Sequence, residues 1–99
     1  MNERDPNGFL NKIKESLMIP KTDTFADDEL KLHIDACTQL IISVGVSTEI
    51  AKSDNPLVEG IILIYVKTNF GFKSDGSVKE LPTSFDLLLR QLVLTSEGK

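Results

Sequence analysis

Apolar residues recur along the 99-residue chain at steps of three and four, and those steps predict four helices. The first spans about Pro6 to Met18, with Phe9, Leu10, Ile13 and Leu17 on one face. Asp5 followed by Pro6 suits an N-cap and a first turn, because proline has no N–H to leave unsatisfied there. Pro20 is expected to stop this helix by pushing its predecessor out of the helical region. The second helix follows a polar loop and runs to about Val44, with Leu30, Ile34, Cys37, Ile41 and Val44 as its stripe and Leu40 widening it. Thr24 and Asp27 are spaced as a capping box, acidic residues fill the first turn, and Gly45 suits the C′ position.

A polar loop from Ser47 to Asn55 precedes the third helix, for which Asn55 is a cap and Pro56 a first residue. Its body, Leu57 to Phe70, is apolar almost all round: Val58, Ile61, Ile62, Leu63, Ile64, Tyr65 and Val66. The β-branched residues would also suit a buried strand, but the length, the Asn-Pro start and the lack of period-two alternation favour a helix. A helix apolar on every side must be buried on every side, so this one is either central or covered by another subunit. Val58, Ile62 and Val66, with Phe70 and Phe72 just beyond, are therefore candidate protein-interface residues. Residues 71 to 82 form a longer loop in which Asp75-Gly76 would suit a short hairpin. Thr83 and Asp86 again have capping-box spacing, and the fourth helix carries Phe85, Leu88, Leu89 and Leu92. Residues 1–5 and 95–99 are expected to be flexible ends. The fold class is all-α: one small domain, residues 1–99, built as a bundle of about four helices with one longer polar loop before the last.

Composition adds limits. Hydrophobic residues make up 40% and charged residues 26%, too apolar a balance for disorder. A chain of this size buries about 65% of its surface on folding, so the core is marginal and a partner that covers more apolar surface would help it. The net charge of -4 and the dispersed Lys and Arg residues provide no basic face for phosphates. A single cysteine, Cys37, excludes an internal disulfide framework and suits a reducing cytoplasm. The polar residues 1–8 do not form a signal peptide, and the longest apolar run, Ile61 to Val66, is far short of the roughly 20 residues a membrane span requires.

Chemistry is scarce. A nucleophile–base pair would have to be Cys37 with His33, four apart on one helix, yet Cys37 belongs to the apolar stripe and reads as a small hydrophobe. Asp35 lies on another side of that helix, so His33, Cys37 and a carboxylate do not make a metal site. The acidic run Asp23, Asp27, Asp28 and Glu29 lacks the alternating ligands and central glycine of a calcium loop. Gly60, Gly71 and Gly76 form no phosphate-binding pattern; the third helix is too apolar to read DNA, and the fourth begins Thr83-Ser84-Phe85-Asp86 with Arg90 late. No catalytic residue, metal ligand or cofactor site is assigned, so the expected activity is binding to other proteins.

The order of these features over Phe9 to Leu92 resembles the head-tail connector (adaptor) proteins of long-tailed bacteriophages and phage-like elements. The resemblance is carried by an opening helix, Leu10 to Leu17 with Ile19, and the acidic turn Thr22-Asp23-Thr24-Phe25-Ala26-Asp27-Asp28-Glu29-Leu30. The helix through Ala36, Cys37, Leu40, Ile41, Val44 and Gly45 follows, then the proline-led apolar helix from Pro56 to Tyr65 and Phe70. Leu81-Pro82 and a Leu-rich last helix complete it. The resemblance implies a structural subunit of a homo-oligomeric ring in the virion, made in the bacterial host cytoplasm. Its implied partners are other copies of itself, the portal protein and a tail-side connector or stopper, with DNA passing without specific binding and no membrane contact. A small cytoplasmic helical adaptor or regulator is the alternative that the residues alone leave open.

Overall fold

The computed structural model describes residues 2–70 and 81–97, and within them the chain forms five helices in the order α1 (Pro6–Ser16), α2 (Asp27–Ser43), α3 (Thr48–Ala51), α4 (Pro56–Asn69) and α5 (Thr83–Glu97). The hairpin expected around Asp75-Gly76 lies outside the described residues.

α4 is the centre of the bundle. It packs chiefly against α2 and then against α5, while α1 and α3 lean on α2. Val58, Ile61, Ile62 and Val66 have no exposed surface, and Leu57, Leu63, Ile64 and Tyr65 are half-buried. The β-branched run thus forms a helix because it has neighbours on several sides, which compensates for its modest helix propensity. Asn55 caps it by accepting the Leu57 N–H at 2.8 Å, with Pro56 in the first position. Around it lie Phe9, Leu10 and Ile13 of α1, Leu30, Cys37 and Ile41 of α2, and Phe85 and Leu92 of α5. Tyr65 and Phe85 join α4 to α5, their ring centroids 6.1 Å apart.

Several boundaries differ from those the pattern predicts, each for a local reason. α1 ends at Ser16, four residues before Pro20. The Ile19 N–H bonds back to the Lys14 carbonyl at 2.8 Å and the Met18 N–H to that of Glu15 at 3.0 Å. That pairing is a Schellman motif, and it requires a left-handed residue at its turn; Met18 occupies it, with φ of 62°. The Thr24–Asp27 capping box does not form. Ala26 is the N-cap of α2 and makes no side-chain cap bond, the Thr24 carbonyl accepts from Asp27 N–H, and the Asp27 carboxylate turns to Lys14 instead. Gly45, at φ of 106°, closes α2 as the pattern predicts. The loop after it is not wholly irregular: Ser47 Oγ accepts the Ile50 N–H at 3.2 Å and caps the single-turn α3. α5 begins at Thr83 itself, so the spacing of Thr83 and Asp86 serves no box, and Asp86 pairs with Arg90 at 3.1 Å. α5 also continues through Thr95 to Glu97, where a flexible tail is expected.

The N-terminal residues are tied down as well. Glu3 bridges Ser53 in antiparallel fashion, Arg4 N–H donates to the Lys52 carbonyl at 2.9 Å, and Asp54 N–H donates to that of Asn2 at 2.8 Å. The Arg4 guanidinium adds bonds to the carbonyls of Ala51 and Ser53 at 3.1 and 3.0 Å, and it lies 5.0 Å over the Phe9 ring. A short strap thus holds α1 against the α3–α4 connection.

Candidate protein-protein interface

Of the interface residues named from the sequence, Val58, Ile62 and Val66 are fully buried, Phe70 is half-buried at the C-terminal end of α4, and Phe72 lies outside the described residues. The surplus apolar surface expected on this helix is covered by the same chain, chiefly by α2 and α5. Val58, Ile62 and Val66 are not part of the accessible surface of the folded subunit.

The exposed apolar surface lies elsewhere. Met18 and Phe25, in the α1–α2 loop, are 92% and 72% exposed; Leu32 on α2 is 66% exposed, and Leu87 and Leu94 on α5 are 60% and 66% exposed. Helical geometry explains the last three. α5 buries Phe85 and Leu92 and half-buries Leu88, Leu89 and Val93. Leu87 and Leu94, seven residues apart, share the opposite edge, with Arg90 and Gln91 between them. Leu32 similarly falls outside the Leu30, Ile34, Cys37, Ile41 stripe of α2. The departure on α5 is readable in the sequence: seven apolar residues among the ten from Phe85 to Leu94 are too many for one buried face.

A depression of about 130 Å³ lies between α1 and α4, lined by Phe9, Ile13, Gly60 and Leu63 with Lys12 and Glu59 at its rim. Lys12 Nζ and Glu59 Oε1 are 3.3 Å apart. A larger groove of about 390 Å³ runs beside the N-terminal strap and mixes Arg4, Lys31 and Lys52 with Glu3 and Asp35. Burial pulls the Arg4 guanidinium below its usual value, opposed mainly by Glu59, and guanidinium is basic enough to keep its charge there.

The groups with catalytic potential are accounted for structurally. Cys37 is fully buried, and loss of water around its thiol pushes it up to about 12, with Arg4 pulling the other way. At neutral pH it is a protonated core residue. His33 instead faces Glu29, Nε2 to Oε2 at 3.2 Å, and meets the edge of the Tyr65 ring at 6.5 Å. Among the described residues there is no group of three or more His, Cys, Asp or Glu side chains placed to hold a metal ion. No helix among them is long and apolar enough to cross a membrane.

The described residues thus form an all-helical domain that leaves apolar side chains exposed on separate elements. The family model described as phage connector protein matches residues 9–99, so the chain belongs to that family, a structural family of the bacteriophage head-tail connector. No curated protein and no solved structure gives a significant match to it. The match begins at Phe9, so the strap through Arg4 lies before it.

Proposed function

We propose that this chain is one subunit of a homo-oligomeric ring at the head-tail junction of the virion, docked to the portal on one side and to a tail-side connector or stopper on the other. The carrying observation is the distribution of exposed apolar side chains over the α1–α2 loop, α2 and α5, each left uncovered by a subunit whose core is already closed. A ring is built from heterologous contacts, in which two different patches of each subunit meet, and further patches are needed for the axial neighbours. Two lateral contacts at a standard ~800 Å² per partner would cover about a quarter of the 6310 Å² of the subunit. The net charge of -4 supports a passage that does not retain DNA.

The test is to tag the chain, purify assembled particles and heads, and measure stoichiometry and shape by native mass spectrometry and electron microscopy. Multiple copies arranged as a ring at the head-tail vertex are expected. A chain absent from particles and from portal-containing complexes would overturn the reading. Tight, steeply salt-dependent binding to duplex DNA would overturn the part that concerns DNA passage.

A further inference from the structure

α4 carries a glycine in its second turn that its own fold does not need. Gly60 does not adopt a left-handed conformation, and a Cβ built there meets nothing within 4 Å. Glycine inside a helix is unfavourable relative to alanine, and among the described residues no close approach of another element repays that. What Gly60 does create is room in the depression between α1 and α4, whose apolar lining of Phe9, Ile13 and Leu63 lies beside the Lys12–Glu59 ion pair.

We propose that this depression receives Leu87 of the next copy of the chain, so that the α5 edge of one subunit and the α1–α4 face of its neighbour form the lateral contact of the ring. The inference rests on the ring reading above and names the surfaces it would use. Leu87 is an exposed branched side chain on a helix edge, and the depression has room for one such side chain. Their surroundings match in charge. Asp86 and Arg90 form an ion pair along one side of Leu87, and the edge of the depression offers the Lys12–Glu59 pair. Docking Leu87 lets Asp86 face Lys12 and Arg90 face Glu59, so two intrachain pairs become a four-membered network across the contact. Leu94, two turns and ~10.5 Å along α5, extends the apolar edge. No α5 residue lines the depression, so one copy presents both surfaces at once and the contact is heterologous, as ring growth requires.

Paired cysteines test this. Lys12→Cys and Asp86→Cys are both at exposed positions, and the native Cys37 is buried, so neither substitution disturbs the core. The tagged double variant is assembled into particles and oxidised, and its products are separated under denaturing conditions without reductant. A ladder of dimers, trimers and higher multimers is expected from K12C/D86C, and nothing beyond a trace of dimer from either single variant. Adding Gly60→Leu, which fills the depression and favours the helix, is expected to abolish the ladder while circular dichroism shows the fold retained. Particles that contain the chain but give no ladder would overturn this contact and leave the connector reading standing. Particles that never contain the chain would overturn both. A ladder that survives Gly60→Leu would overturn the role given to Leu87 in the depression.

Discussion

Lys14 Nζ lies 2.9 Å from Asp27 Oδ1, and this ion pair joins the last turn of α1 to the first turn of α2. Lys14 is as buried as the aliphatic core, and its ammonium also donates to the Lys21 carbonyl at 3.1 Å. Asp27 retains some exposure; its Oδ1 lacks a well-aligned hydrogen bond, so the pair is held by charge. The two halves should therefore respond unequally to truncation. Asp27→Ala strands a buried cation and is expected to cost about 3–5 kcal/mol, enough to unfold much of a domain this small. Lys14→Met leaves the Asp27 Oδ1 buried and unpaired, but the side chain keeps 22% exposure through which water can relieve part of the loss, so the cost should be smaller, about 1–3 kcal/mol. Denaturant unfolding of both singles and of K14M/D27A checks this, with the double variant expected to be more stable than D27A alone. Equal losses for the two singles would show that Lys14 is not confined as described.

Arg4 is the second tie, and it acts through shape as much as charge. Its planar fork reaches two carbonyls at once while its face covers Phe9. Arg4→Ala should lower stability by about 1–2 kcal/mol, and Arg4→Lys should recover only part of that, because an ammonium cannot reproduce the fork. Hydrogen exchange at the Arg4 and Asp54 amides, which close the strap, should accelerate in both variants.

Most of the bundle was legible because its signals are local. The Asn55–Pro56 start, the Gly45 stop and the 3–4 stripe of α2 each act within one turn of chain. The strap was not legible, because Glu3 and Ser53 are fifty residues apart and no local pattern links them. The capping box at Thr24 failed for a related reason: Asp27 had a distant partner in Lys14 that competed for its carboxylate. The candidate residues on α4 are covered within the subunit because hydrophobicity alone marks burial without saying what does the burying. Val58, Ile62 and Val66 are the most apolar stretch and hence the best covered, whereas Leu87 and Leu94 reveal themselves by falling off the stripe of their own helix.

Cys37 gives a pH prediction. Its thiol rises in the fold from an ordinary value of 9.0 to about 12, chiefly through burial. Below about pH 9 both folded and unfolded chains hold the proton, and the stability contribution is constant. Between 9 and 12 the unfolded chain releases it while the folded chain keeps it, so stability falls as pH rises, by at most about 1.4 kcal/mol per unit. Unfolding measured from pH 8 to 10.5 should show a steeper decline for the natural chain than for Cys37→Ala, in which every other titrating group is the same. Parallel curves would show that the thiol is already accessible in the fold. At pH 8 a thiol reagent should modify the native protein only as fast as it unfolds.

Met18 carries a cost that its own subunit does not recover. A β-carbon in the left-handed region is unfavourable by about 1 kcal/mol, and the residue at this turn of a Schellman motif is usually glycine. The Met18 side chain projects into solvent, so it contributes almost nothing to the core. Met18→Gly should therefore stabilise the isolated chain by about 0.5–1 kcal/mol, read as a higher denaturation midpoint at unchanged slope. An adaptable, exposed thioether held at a fixed turn is suited to a contact with another protein. If the α1–α2 loop is an axial docking surface, Met18→Gly should fold more stably yet enter particles less efficiently than the natural chain, in direct competition between two differently tagged versions. A variant that is both more stable and equally well incorporated would mean that the strained methionine serves no contact in the assembly.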